Sequence, residues 1–380
     1  MANPLVELTR QGQSVWLDYL SRDMLNSGEL KRLIDEDGIT GVTSNPSIFE
    51  KAITGGRAYD GIIQGLIAKG ITDPKEMFIQ IAAADVADAA KLLRGAYDKT
   101  GGADGYVSIE VSPDLAYNAE ATIAEAKRLF LLTGGGNVYV KVPATKQGLP
   151  AIRKLVSEGL NINITLLFAV QRYQEVMDAY LSGLEDRVSK GLPIDKITSV
   201  ASFFVSRVDT LADTMLDRLY QESGVSGKEV IRGFYGKAAV ANAKIAYKKY
   251  REVFESDRFL SIEEKGGRVQ RILWASTSTK NPDYSDIKYV EELVAPDSVN
   301  TMPENTITAF KDHGKVRVSI FDGMEGAQRI ADELKDAGVD MDCVTAELES
   351  EGVKLFSDSY FSVLEKVARK KESLLSKAGK

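Results

Sequence analysis

The 380-residue chain holds a single histidine, His313, and a single cysteine, Cys343. One cysteine cannot close an intrachain disulfide. The histidine falls in Lys311-Asp312-His313-Gly314, where a helical pattern ends, and reads as a helix C-terminal residue facing the negative end of the dipole. That leaves neither a histidine-based triad nor a multi-histidine metal site. Any proton chemistry therefore belongs to carboxylates, lysines or hydroxyls. Positive charge is also short, with 48 Lys and Arg against 55 Asp and Glu and a net charge of -7. Nucleic-acid and anionic-membrane partners draw on an excess of Lys and Arg, so neither is expected. An anionic substrate would have to be met by local cations. No stretch approaches the ~20 apolar residues of a bilayer-spanning helix. The first residues lack a basic segment leading into an apolar one, so a cytoplasmic protein is expected.

What is present is a 44% hydrophobic, 27% charged composition, enough for a large core and a soluble surface. Short β-branched runs recur, each followed by a longer segment with helical spacing, the pattern of β-α units on a parallel sheet. Eight such runs are predicted as strands, at 14–18, 41–45, 106–111, 138–142, 161–166, 199–204, 272–277 and 298–302. Amphipathic stretches such as 118–132, 149–158, 170–188 and 208–221 lie between them. Eight strands with following helices predict an α/β fold, a closed parallel (β/α)8 TIM barrel. The expected organisation is one barrel domain over 1–380, with helical insertions at 51–105 and 225–267 and a helical extension at 303–380. No Pro-rich or Ser-rich linker divides it. The Gly134-Gly135-Gly136 run precedes a strand, which suits a helix-to-strand turn better than a phosphate loop.

In such a barrel the outer strand face should be apolar, while polar groups point inward or project from the C-terminal strand ends. The strands show that split. Val107, Ile109 and Val111 share one parity, leaving Ser108 and Glu110 on the other; Val138, Val140 and Val142 leave Tyr139 and Lys141; Ile162, Ile164 and Leu166 leave Asn161, Asn163 and Thr165. Asp18, Thr43 with Asn45, Ser202 and Ser276 likewise fall near strand ends. An antiparallel sheet with one wet face would give the same alternation. The intervening helices argue for two covered faces and one shared polar pocket. Within it Lys141 stands out. An amine attacks a carbonyl only when neutral, and at the reference value roughly one lysine in 2,500 is neutral at pH 7. Burial disfavours an ammonium and a neighbouring carboxylate favours it. Parity alone leaves two readings of Lys141 open, a nucleophile and half of a buried ion pair.

Six segments shift the balance between them. Gly41-Val-Thr-Ser-Asn-Pro-Ser, Ser108-Ile-Glu-Val-Ser, Val140-Lys-Val-Pro-Ala-Thr-Lys-Gln-Gly, Asn161-Ile-Asn-Ile-Thr-Leu-Leu-Phe, Ala201-Ser-Phe-Phe-Val-Ser-Arg and Trp274-Ala-Ser-Thr occur in this order, each at a predicted strand end. Over nearly the whole barrel the chain resembles the transaldolase family, and its inserts and tail look like those of the longer bacterial members. The resemblance implies transfer of a dihydroxyacetone unit from sedoheptulose 7-phosphate or fructose 6-phosphate to glyceraldehyde 3-phosphate or erythrose 4-phosphate, in the non-oxidative pentose phosphate pathway. It implies that Lys141 forms an imine with C2 of the donor, that Asp18 takes the C4 hydroxyl proton, and that Glu110 with Thr165 holds a water for proton transfer. Asn45, Asn163 and Ser202 match positions that orient the hydroxyls of the three-carbon unit, with Thr43 and Phe204 beside them as substrate-binding residues. Arg207 matches the phosphate-binding arginine. The iminium serves as the electron sink, so the resemblance implies no metal and no cofactor.

One departure stands out. Where many members carry Arg shortly after Ala-Ser, this chain reads Ala275-Ser-Thr-Ser-Thr-Lys-Asn, with a longer spacing and Lys280. Lysine meets phosphate as a point charge and gives up bidentate geometry. Ser276 and Lys280 are assigned to the phosphate site on this basis. A fructose-6-phosphate aldolase is similar in fold and imine chemistry, and a catalytically silent sugar-phosphate-binding scaffold is the reading from another class. Between monomer and homodimer the sequence does not choose.

Overall fold

The computed structural model describes residues 3–54 and 56–378. Its centre is a closed barrel of eight parallel strands in sequential order. They are β1 (Gln13–Leu17), β2 (Gly41–Val42), β3 (Tyr106–Glu110), β4 (Val138–Pro143), β5 (Ile162–Leu167), β6 (Ser199–Phe204), β7 (Gln270–Ala275) and β8 (Ser298–Met302). The outward residues Val107, Val138, Val140, Val142, Ile162 and Ile164 are wholly buried beneath helices, as two covered sheet faces require.

The bore divides into two halves. At its N-terminal end Tyr106 stacks on Tyr139 at 4.1 Å between ring centroids, and Tyr139 stacks on Trp16 at 6.0 Å. Asp104 anchors that plug by accepting from the Trp16 indole at 2.8 Å and from the Ser14 hydroxyl, with Arg271 3.5 Å away. Trp16 lies flat over the β2 backbone at Gly41, where a Cβ would sit 2.3 Å from the indole. The aromatic plug closes the base and leaves polar side chains to the C-terminal half. Strand register then sets neighbours: Glu110 pairs with Lys141, and Lys141 pairs with Asn163.

The predicted strand limits shift by up to three residues, and the larger shifts have local causes. β2 stops at Val42 because Asn45 leaves the sheet to cap the helix Pro46–Thr54, its Oδ1 accepting from the Ile48 amide at 3.1 Å. Asn161 precedes β5 and accepts from the Thr198 amide at 2.9 Å. β7 begins at Gln270 and ends at Ala275, where Ser276 turns with φ +56°. The one-helix-per-strand pattern also bends, since only the four-residue helix Lys288–Glu291 stands between β7 and β8.

Segment 51–105 carries the helices Asp60–Ala68 and Pro74–Lys99, and segment 225–267 carries Val225–Arg232, Ala238–Phe254 and Asp257–Glu263. After β8 come Glu304–His313, Met324–Asp336 and the 38-residue helix Met341–Ala378. His313 does close its helix, exposed and bonded at 3.0 Å to Asp286. The last helix runs across the C-terminal face of the barrel. Gly352 lets it approach β5 so closely that a Cβ would lie 2.9 Å from the Leu166 side chain, and farther along Tyr360 bonds Ser112 at 2.9 Å. Among the described residues no helix is long and apolar enough to cross a membrane.

Candidate active site

The C-terminal half of the bore opens into a cavity of ≈ 410 Å3. Lys141 enters it from β4 with only 5% of its surface accessible. Its Nζ donates to the Ser44 carbonyl at 3.3 Å and lies 3.7 Å from Glu110 Oε2, an ion-pair distance too long for a hydrogen bond. That Glu110 oxygen and the Thr165 hydroxyl are buried without a hydrogen-bond partner among the described residues. Both are therefore available to a small polar guest. Burial pushes the Glu110 carboxyl up to about 7, against the pull of the Lys141 charge and with a further push from Asp18.

Asp18 follows β1 and accepts from the Thr43 hydroxyl at 2.6 Å; Thr43 in turn bonds Thr301 at 2.7 Å. The cavity leaves part of Asp18 accessible, but the group lies deep in the barrel mouth. Burial raises its carboxyl above the ordinary aspartate value, opposed by the Thr43 bond and by Lys141 and Lys280. Two acids of raised affinity for protons thus flank one lysine, an arrangement suited to moving protons near neutral pH.

The hydroxyl side of the cavity is held from below. Asn163 is fully buried, donates to Ser108 Oγ at 3.1 Å and accepts from Ser202 Oγ at 2.7 Å, so the Ser202 oxygen is presented in one orientation. Asn45 keeps its Oδ1 on the Ser47 hydroxyl and the Ile48 amide, which fixes its amide plane. Farther around, the Arg207 guanidinium sits 5.7 Å over the Phe204 ring, and Lys280 lies exposed on the loop after β7. Among the described residues neither Arg207 nor Lys280 makes a salt bridge. Arg207 is partly buried, which lowers its affinity for a proton, and Glu351 of the last helix opposes that shift. Arg207 stands at the N-terminus of the helix Ser206–Glu222, and Lys280 stands on the loop that this helix end bonds through Ser276, so the corner is anion-receptive.

Ten of the twelve side chains named from sequence line this one cavity: Asp18, Thr43, Asn45, Lys141, Thr165, Ser202, Phe204, Arg207, Ser276 and Lys280. The other two stand directly behind it, Glu110 against Lys141 and Asn163 beneath Ser202. Among the described residues no group of three or more His, Cys, Asp or Glu side chains is placed to hold a metal ion.

The profile of the family described as Transaldolase/Fructose-6-phosphate aldolase matches residues 15–367. The chain belongs to this family. It is 47% identical to a protein named Transaldolase 2 from Streptomyces coelicolor over 365 residues, 96% of each chain. It is 49% identical over 366 residues to a protein named Transaldolase from Mycobacterium tuberculosis, again 96% of each, and 44% identical to Transaldolase 2 of a Nostoc species over 95% of this chain and 96% of that one.

Family motifs did not reach every wall of the cavity. Tyr19, Ile48, Lys51, Thr301, Pro303 and Phe356 line it as well. Thr301 was within reach of the sequence, because it pairs with Trp16 across the β1–β8 seam and so shares its inward parity. Lys51 lies on a helix after a strand and Phe356 on a helix that returns from the far end of the chain, so neither carries a strand-end signal. Two residues at the rim take left-handed backbone, Leu166 and Ser276, both with φ +56°. For a leucine that conformation is strained. It coincides with the register shift between β5 and β6, directly after Thr165, and the last helix packs on it at Gly352.

Proposed function

We propose that this protein is a transaldolase of the non-oxidative pentose phosphate pathway, moving a dihydroxyacetone unit from fructose 6-phosphate or sedoheptulose 7-phosphate to erythrose 4-phosphate or glyceraldehyde 3-phosphate. The observation that carries the reading is the buried Lys141 amine between Glu110 and a cavity that Arg207 and Lys280 also line. In this reading Lys141 attacks C2 of the donor to give a carbinolamine. Glu110, close to half-protonated at neutral pH, supplies the proton that leaves with the hydroxyl as water, and Thr165 holds that water with it. Asp18 takes the proton from the C4 hydroxyl. The C3–C4 bond then breaks, its electron pair moves into the iminium, and the aldose phosphate departs.

The three-carbon enamine stays on Lys141, its hydroxyls oriented by Asn45, Asn163 and Ser202, with Thr43 and Phe204 completing the wall. An acceptor aldehyde enters, the enamine carbon attacks it, Asp18 returns the proton to the new alkoxide, and water releases the ketose. Arg207, Ser276 and Lys280 would hold the phosphate of donor and acceptor alike, since both carry it on the terminal carbon of the aldose portion. The whole scheme belongs to one barrel domain working in the cytoplasm. An aldolase that releases free dihydroxyacetone shares every step up to the enamine; the near end-to-end match with proteins named transaldolase weighs toward transfer. The test is borohydride reduction with fructose 6-phosphate and no acceptor, read by intact mass and peptide mapping. A three-carbon adduct on Lys141 is expected. An adduct on another lysine, or none, overturns the assignment.

A further inference from the structure

The helix Ser206–Glu222 begins with Ser206-Arg-Val-Asp-Thr-Leu-Ala-Asp213, which puts Ser206, Asp209 and Asp213 on one face at i, i+3 and i+7. Asp209 is 1% exposed and Asp213 8%, unusual for acids on a surface helix. Their partners come from two other parts of the chain. Asp209 accepts from the Ala239 amide at 2.7 Å, the Tyr289 hydroxyl at 2.9 Å and Lys288 Nζ at 3.1 Å. Asp213 accepts from the Gly236 amide at 3.0 Å and the Tyr284 hydroxyl at 2.7 Å. Burial, with Asp213 beside it, raises the Tyr284 phenol, so Tyr284 stays protonated and donates.

Both ends of the loop between β7 and the helix Lys288–Glu291 are thereby tied to the same helix face. At the near end the Ser206 amide donates to the Ser276 carbonyl at 3.0 Å, and the two hydroxyls meet at 3.0 Å. At the far end Tyr284 and Lys288 reach Asp213 and Asp209. Lys280 lies between the two ties and Arg207 next to the first. Gly236 forms the floor: its φ is +68°, and a Cβ there would come within 2.6 Å of Lys288 Nζ and 2.8 Å of the Tyr284 ring. A buried ion pair is weak evidence for stability as such. This one joins the helix carrying Arg207 to the loop carrying Lys280.

We propose that Tyr284 and Lys288, clasped by the Ser206-Asp209-Asp213 face, are positioning residues that hold the Lys280 loop at a set distance from Arg207 and so determine recognition of the substrate phosphate. The inference rests on the phosphate role given to Lys280 and Arg207 above. It accounts for the 225–267 insertion as the third jaw of the clasp, through Gly236 and Ala239.

The test is Tyr284→Phe, which keeps the ring and removes one hydroxyl, assayed with fructose 6-phosphate, with unphosphorylated fructose and with inorganic phosphate as competitive inhibitor. Losing one charge-assisted tie should raise KM for fructose 6-phosphate and Ki for phosphate roughly three- to tenfold, with kcat/KM for fructose little changed. In a Lys280→Ala background the same substitution should add nothing, because the group it positions is gone. Tyr235→Phe removes a 2.7 Å bond to Asp217 that joins the same insertion and helix without touching the loop, and should move neither constant. Asp213→Asn should repeat the Tyr284→Phe shift and serves if that variant melts early. Additive losses in the double variant, equal losses on the two sugars, or an effect of Tyr235→Phe matching that of Tyr284→Phe would overturn the clasp while leaving the phosphate site standing. A Lys280→Ala variant with unchanged KM for fructose 6-phosphate would remove the phosphate role of Lys280, and the clasp with it.

Discussion

Asp18 and Glu110 are both carboxyls that burial drives toward the neutral form, yet their positions differ: Glu110 faces the Lys141 amine, whereas Asp18 stands across the cavity against Thr43 and Thr301. The two roles separate by mutation. Asp18→Ala should still trap fructose 6-phosphate under borohydride, but as the intact six-carbon adduct, because imine formation precedes the step proposed for Asp18. Absence of any trapped sugar would place Asp18 earlier in the cycle. Glu110→Gln should instead slow trapping itself by ~100-fold or more and remove the inflection near pH 7 from its rate. The same residue leaves a mark on stability. Its folded value of about 7 lies above its ordinary 4.5, so the native state binds the extra proton, and the stabilising share is present below pH 4.5 and lost as pH rises through 7. The melting temperature of Glu110→Gln relative to the parent should therefore be higher at pH 8 than at pH 5. A constant difference across that range would mean that Glu110 titrates normally.

At the level of strands, the sequence announced what periodicity controls and missed what long-range packing controls. Parity placed Lys141, Glu110, Asn163 and Thr165 on the inward face because alternation follows from backbone geometry alone. The end of β2 was missed since it depends on Asn45 preferring a helix cap to a ladder, and the end of β7 because Ser276 turns into left-handed backbone. Phe356 and Gly352 gave no warning: their neighbours, the cavity and Leu166, lie nearly two hundred residues away in sequence for Leu166. Lys51 shows the same limit from a shorter distance. Gly41 tests the seam between β1 and β2. An added methyl at Gly41→Ala would enter the Trp16 indole at 2.3 Å, and the ring cannot yield without disturbing its stacking on Tyr139. A loss of at least ~2 kcal/mol in denaturant unfolding is expected, with activity falling as the β1 end that carries Asp18 moves. Unchanged stability would show that Trp16 has room to turn away.

For the molecule as a whole, the charge of -7 makes the environment unfavourable to a sugar phosphate everywhere except where cations lack acidic partners. Arg207 is such a place, half-buried over Phe204, with the charge of Glu351 opposing the effect of burial. Arg207→Ala should reduce kcat/KM for fructose 6-phosphate by ~1.5 to 3 kcal/mol, the range of one charge-assisted contact, or roughly ten- to more than a hundredfold. Unphosphorylated fructose has no such contact to lose, so its slow turnover should change little while thermal melting confirms the fold. Salt gives an independent reading of the same corner. Raising ionic strength from about 0.01 M to 0.15 M shortens the screening length from ~30 Å to ~8 Å, which weakens repulsion by the acidic body as well as attraction by the local cations. In the parent, where the cations are close and the body charge is distant, the attraction should survive and KM should change modestly. In Arg207→Ala the distant repulsion counts for more, so added salt should lower its KM for fructose 6-phosphate relative to the parent. Equal losses on the two sugars, together with parallel salt responses, would mean that Arg207 supports the barrel or the imine chemistry and does not read the phosphate.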